Sequence, residues 1–147
     1  MIGLCRMPGW GGDYAGDLAL IRAWVPGLVM TMTTRAELRS RGAGRFPDDL
    51  AASGITWRHL PVTDFGAGGP GLRDGWPEAS AAAHSLLGQG GRVLAHCMGG
   101  CGRSGMALMR LMVEAGEPAD HALARLRNAR PCAVETEEQR AWAATPM

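Results

Sequence analysis

Arg92-Val93-Leu94-Ala95-His96-Cys97-Met98-Gly99-Gly100-Cys101-Gly102-Arg103-Ser104 is the stretch on which the fold and the chemistry of this chain both turn. It opens on a short apolar run bounded by Gly91 and by glycines at 99, 100 and 102, the pattern of a buried strand that ends in a turn. From Ser104 to Ala115 apolar side chains (Met106, Leu108, Met109, Leu111, Met112, Val113) lie nearly all round the helical wheel, which predicts a buried helix. Strand, glycine-rich loop and helix N-terminus therefore follow one another. Small residues let the loop curl so that the N–H groups of Met98, Gly99, Gly100, Cys101, Gly102 and Arg103 converge on one concavity suited to an anion. The helix end adds unpaired donors and positive partial charge. Arg103, six positions after Cys97, adds a planar fork that matches phosphate geometry. The spacing predicts a cradle for a tetrahedral dianion, with Cys97 as a thiolate nucleophile at its base. Ser104 is placed to hydrogen-bond the sulfur and to ease its departure. His96 is expected to orient the loop rather than to act as a base.

Outward from this segment, elements alternate. Ile2-Gly3-Leu4-Cys5, Leu28 to Met32, Ile55 to Val62 and Arg92 to His96 are strand candidates. Asp13 to Val25 is an amphipathic helix stopped at Pro26-Gly27. Thr33 or Thr34 caps a short helix through Leu38, with Glu37 spaced for a capping box. Pro47 suits the first turn of a helix over 48–53 that Gly54 closes. A long loop is expected from Thr63 to Gly75, then a helix from Pro77 to about Leu87. Pro118 starts another helix, and Thr136 with Gln139 has capping-box spacing for a last short one. The expected fold class is α/β: one domain over 1–147, with a central, mostly parallel sheet of four to five strands flanked by helices.

The bulk properties narrow the partners. The length of 147 residues suits one domain, and a hydrophobic fraction of 46% suffices for its core. A formal net charge of +1 sets up no overall field toward nucleic acid or an acidic membrane, so neither is an expected partner. No apolar run suggests a signal peptide or a membrane span. Four cysteines, at 5, 97, 101 and 132, are too few for a disulfide scaffold in a chain this long. The expectation is therefore free thiols in a reducing, cytoplasmic setting. Oligomeric state is left open.

The loop resembles the signature of the protein tyrosine phosphatases: His-Cys, five residues, Arg, then Ser or Thr. Element order and size resemble the dual-specificity branch. They are closer still to the cyclin-dependent-kinase-associated phosphatase (cyclin-dependent kinase inhibitor) group. Four patches carry that likeness: Ile2 to Cys5 with Pro8-Gly9, Thr34 to Leu38, the loop after Pro61, and the Cys97 loop with its paired glycines. The resemblance implies hydrolysis of a phosphomonoester through a cysteinyl-phosphate intermediate, with no metal and no cofactor. It implies a phosphorylated protein, or a small phosphomonoester, as substrate. It makes Cys97 the nucleophile, Arg103 the phosphoryl ligand and Ser104 the aid to thiolate departure. The family draws its general acid from a loop before the signature, which points to Asp64, with Asp74 as runner-up in the same expected loop. A glycine-rich tract from Gly66 to Gly71 suits closure over a substrate.

Gln139 matches a family segment that positions water, and is equally the closing member of its capping box. Arg130 is read as part of a basic rim, and Arg127 as a solvated helix residue. Glu37 is either a partner of Arg103 or a surface cap. Trp10 and Trp76 are candidates for the entrance or plain filler. Cys101 departs from the kinase-associated group, where this position is apolar. It is read as a small filler, with a disulfide that rescues oxidised Cys97, closed by Cys101 or Cys132, as the alternative. The loop has no lysine to meet the extra phosphates of a phosphoinositide. Two other readings stand beside the phosphatase: a non-catalytic phosphate-binding module, and a cysteine-based redox or sulfur-transfer enzyme.

Overall fold

Alternation along two strands sets the layering. In β4 (Val93–His96), Val93 and Ala95 point into one apolar cluster, while Leu94 points into another. In β2 (Leu28–Thr31), Leu28 and Met30 take the first side and Val29 the second. Both strands are buried throughout, as strands covered on both faces must be. The computed structural model describes residues 1–145. The last two residues of the expected 1–147 domain lie outside the described residues. β1 (Ile2–Cys5) and β3 (Thr56–His59) complete a four-stranded sheet of order β1-β4-β2-β3, parallel at every pairing. The α/β reading with a parallel sheet is borne out.

Three short helices cover one face: α1 (Tyr14–Trp24), α2 (Arg35–Ser40) and α3 (Phe46–Ala52), through Leu18, Ile21, Leu38, Phe46 and Leu50. α4 (Pro70–Gly88), α5 (Gly102–Glu114), α6 (Ala119–Ala129) and α7 (Glu137–Ala144) cover the other. α4 and α5 are joined through Glu114, whose carboxylate accepts from Trp76 Nε1 (2.9 Å), Ser80 Oγ (2.6 Å) and Arg110 Nε (3.3 Å). Trp76 is thus a core residue that packs edge-on against Trp142, not part of an entrance.

One expected element differs. The Thr63–Gly75 loop ends early, because α4 begins at Pro70 and carries Pro77 in its interior. Pro77 looked like a start signal, but Pro70 already occupies the first turn. Gly68 and Gly69 face open space, but two other glycines of the expected loop serve close packing. A Cβ at Gly71 would sit 2.7 Å from the Pro61 ring, and one at Gly75 2.8 Å from Leu60. Asp74 therefore lies on a helix, paired with Arg73 at 3.1 Å, and not in the loop that holds Asp64.

All four strands end at the same edge of the sheet, and β4 is interior. The ladder runs on past its strands: Met7 N–H donates to Met98 O, Met32 N–H to His96 O and Val62 N–H to Met32 O. These bonds gather the segments after β1, β2 and β3 around the loop that follows β4, at the carboxyl ends of the strands where open α/β sheets bind ligands.

Candidate active site

Cys97 to Arg103 form one turn of loop between β4 and α5, and Arg103 is already in the first helical turn. Gly100 has φ +74, and a Cβ there would lie 2.7 Å from Arg6 N and from the Cys5 carbonyl carbon. Only glycine fits both the backbone angle and the close approach to β1. Cys97 is buried, and its Sγ lies 3.2 Å from Ser104 Oγ.

The Arg103 guanidinium is 1% exposed, and its position is fixed from one side. Nη1 donates to Glu37 Oε1 (2.8 Å) and to Val62 O (2.8 Å), and Nη2 to Glu37 Oε2 (2.9 Å). Asp64 Oδ1 stands 3.4 Å from Nη2. Nε, equally buried, has no partner. Buried donors are nearly always paired; Thr33 Oγ1 and Arg58 Nε are also without a partner among the described residues, and of the three only Arg103 Nε belongs to the Cys97–Arg103 segment. Burial opposes the Arg103 charge, but the Glu37 hydrogen bonds and field, with Cys97 and Asp64, raise its pKa above the ordinary value. Burial likewise pushes the Glu37 carboxyl up; hydrogen bonds from Arg103 and the Thr34 backbone outweigh that and hold it low. Glu37 is at once the Arg103 partner and the third residue of a complete capping box on Thr34, so both sequence readings of it hold.

His96 is wholly buried and edge-on to Phe46. Its Nδ1 lies 3.2 Å from Cys97 O, and its Nε2 2.7 Å from Thr31 Oγ1. Trp57 Nε1–H donates to the same hydroxyl at 2.7 Å. Burial first, then the Arg103 charge, pushes the His96 pKa down to about 4, against the bond to Cys97 O. A neutral ring facing a carbonyl must carry its proton on Nδ1, so the chain runs Trp57 to Thr31 to His96 to Cys97 O. His96 orients the start of the loop, as its position in the sequence suggested.

One segment, Arg130 to Gln139, cups the outside of the loop. Arg130 donates from Nε to Gly100 O and from Nη2 to Gly99 O, both at 3.0 Å, so it holds the loop instead of widening its rim. Arg127 is not merely solvated: it donates to Ala133 O (2.9 Å) and Val134 O (2.7 Å). Val134 N–H donates to Cys101 O. Gln139 closes the capping box on Thr136, accepts from the N–H groups of Glu135 and Thr136, and donates from Nε2 to Gly66 O at 3.1 Å. Thr136 Oγ1–H donates to Phe65 O at 3.4 Å. The same segment therefore holds the Cys97 loop and the Asp64 loop. Trp10, partly exposed, stacks under Arg41 (4.0 Å) in the loop tied to Met98.

The cysteines correct the sequence reading. Cys101 is bonded to Cys132 with a Cα–Cα distance of 5.1 Å, while Cys5 and Cys97 are free. Cys101 is neither a filler nor a trap for Cys97, and the four thiols are not all free. A 31-residue separation hid the pairing. Among the described residues no group of three His, Cys, Asp or Glu side chains is placed to hold a metal ion.

A family model described as "polymorphic toxin system, DSP-PTPase phosphatase" (Tc-R-P) matches residues 28–117, which include the strand, the loop and α5. The chain belongs to that family. It is a protein-tyrosine-phosphatase-like phosphatase, as the Cys97 loop had implied. Tk-PTP, crystallised in its active form, is 30% identical with a TM-score of 0.75, over 96% of this chain and 87% of that one. Kinase-associated phosphatase (KAP), with its catalytic-site cysteine replaced by serine, shares the fold at 23% identity and TM-score 0.83, over 97% and 83% of the two chains. PTPMT1 in complex with PI(5)P does so at 18% and 0.68, over 85% and 78%. No curated protein matches the phosphatase significantly.

Removing Glu37 leaves the buried Arg103 charge with only the longer contact to the exposed Asp64 carboxylate. Glu37→Ala is expected to lower the unfolding free energy by about 3 kcal/mol, as for a broken buried pair, measured by urea denaturation. A loss within about 0.5 kcal/mol, as for a surface pair, would contradict this placement.

The depressed pKa of His96 carries a stability consequence. The unfolded chain binds a proton at His96 near pH 6.5, the folded chain only near pH 4. Its contribution is whole above pH 6.5 and is lost as pH falls toward 4, by up to about 3 kcal/mol. Thermal denaturation across that window is expected to show a shallower acid decline for His96→Asn than for wild type. Parallel curves would contradict a neutral, buried His96.

Proposed function

We propose that this phosphatase hydrolyses protein phosphotyrosine, and phosphoserine or phosphothreonine by the same machinery, through a cysteinyl-phosphate intermediate at Cys97. The observation that carries the reading is the unpartnered Arg103 Nε, held rigid by Glu37 beside the Cys97–Ser104 pair. A phosphoryl oxygen supplies the missing acceptor. The loop N–H groups and the N-terminus of α5 receive the other oxygens.

In the first step Cys97 Sγ attacks phosphorus, and the bond to the leaving oxygen breaks as Asp64 delivers a proton to that oxygen. Asp64 is exposed at the mouth of the site and within reach of the Arg103 fork, whereas Asp74 is tied to Arg73 on α4. In the second step water attacks phosphorus, Asp64 takes its proton, and the phosphorus–sulfur bond breaks. Ser104 Oγ–H donates to the departing thiolate. Gln139 braces the Asp64 loop through Gly66, and its carbonyl is already occupied by two backbone N–H groups. This favours a bracing role over the positioning of water.

A phosphoinositide carries further phosphates, and PTPMT1, which shares this fold, was crystallised in complex with PI(5)P. In this chain Met98 and Cys101 occupy the loop, and the sequence contains no lysine at all. That composition supports a phosphoprotein or a small monoester. The pure binding module is disfavoured because its nucleophile and leaving-group hydroxyl stand in contact.

Hydrolysis of an aryl phosphate is expected to be unaffected by chelators, abolished in Cys97→Ser, and slowed about 10²-fold in Asp64→Ala. An alkyl phosphate is expected to suffer more in Asp64→Ala, since its leaving group needs the proton more. Activity that survives Cys97→Ser would overturn the reading; an alkyl phosphate cleaved at the wild-type rate by Asp64→Ala would remove Asp64 from it.

A further inference from the structure

We propose that the Cys101–Cys132 disulfide and Arg130 together position the phosphate loop, so that affinity for phosphate follows the thiol–disulfide state of this pair. The proposal rests on reading residues 97–103 as a phosphate nest, and it assigns roles to two residues, Cys132 and Arg130, that touch no substrate.

Three of the loop's residues are glycines, the type with most backbone freedom to lose. Fixing a residue's backbone costs conformational entropy. A nest of this composition needs outside restraint if its N–H groups are to converge before a ligand arrives. Cys101, between Gly100 and Gly102, is the N-cap of α5, and its side chain makes no capping hydrogen bond. It carries the disulfide instead. Its carbonyl accepts from Gly105 N and Val134 N, and the carbonyls of Gly99 and Gly100 are turned outward onto Arg130. With the carbonyls held outside, the N–H groups of the same peptides face the concavity. Cys132 and Arg130 lie two positions apart in the turn after α6, so covalent bond and fork restrain adjacent parts of the loop from one base.

That base also holds the acid loop, through Thr136 to Phe65 O and Gln139 to Gly66 O. Cys132 is exposed and Cys101 half-buried, whereas Cys97 is buried. A reductant thus reaches the bridge from solvent. The bridge forms when the Cys132 thiolate attacks a disulfide of a small molecule or protein, releasing one thiol. The Cys101 thiolate then attacks the Cys132 sulfur of the mixed disulfide and releases the second. Two electrons and two protons pass from the pair to the partner. A dithiol reverses the step, becoming a disulfide as Cys101 and Cys132 return to thiols. Cys97 takes no part in either direction.

Titration of inorganic phosphate into Cys97→Ser protein by calorimetry tests this without relying on turnover. Thiol counting under denaturing conditions is expected to find one thiol (Cys5) before dithiol treatment and three after. Reduction is expected to weaken phosphate binding about tenfold, because preorganisation is lost. Cys97→Ser/Cys132→Ser is expected to bind as the reduced form does and to ignore the reductant. In wild type, reduction is expected to raise KM for an aryl phosphate more than it lowers kcat. Three titratable thiols before reduction, or equal phosphate affinity in both states, would overturn the proposal and leave the phosphatase reading intact. Absence of phosphate binding in both forms would overturn the nest itself.

Discussion

The structure is arranged around a cation it has to bury. A guanidinium that is 1% exposed is tolerable only if its charge and its donors are met. Glu37 meets the charge with both oxygens, Val62 O takes one more donor, and Nε is left over. The fork thereby ties three separate pieces of chain into one position: α2, the exit of β3 and the start of α5. Glu37 can serve only because Thr34 caps α2 and the capping box fixes the carboxylate. A local helix signal and a long-range ion pair are thus the same side chain.

The second dependence runs through the connection between α6 and α7. It reaches the Cys97 loop at Gly99, Gly100 and Cys101, and the Asp64 loop at Phe65 and Gly66. The Cys97 loop and the Asp64 loop follow different strands, β4 and β3, and this connection bonds to both. His96 holds the start of the Cys97 loop through a relay that begins at the half-buried Trp57 and ends on Cys97 O.

Much of this was legible before any coordinates. The Cys97 segment announced strand, nest and helix because its glycines, its apolar flanks and Arg103 sit at fixed offsets. The capping boxes at Thr34 and Thr136 appeared where their spacing put them. Two things were not legible. Glycines at 71 and 75 signal flexibility in a sequence, and only the neighbouring Pro61 and Leu60 show that they serve close packing; the start of α4 was missed for that reason. Pairings across long separations left no local trace. Arg130 with the loop carbonyls, and Cys101 with Cys132, depend on where the turn after α6 comes to rest.

The proposed transfer of the phosphoryl group to sulfur rests on the buried fork, the orphaned Nε and the Cys97–Ser104 contact. Rapid quenching of Ser104→Ala during turnover of an aryl phosphate, followed by mass spectrometry of the reduced peptide Val93–Arg103, reads this directly. Without the hydroxyl the thiolate leaves slowly, so the expected result is that peptide carrying one phosphoryl group on Cys97 in an amount stoichiometric with enzyme. Turnover with the peptide unmodified, or with the phosphoryl group on any other residue, would contradict it.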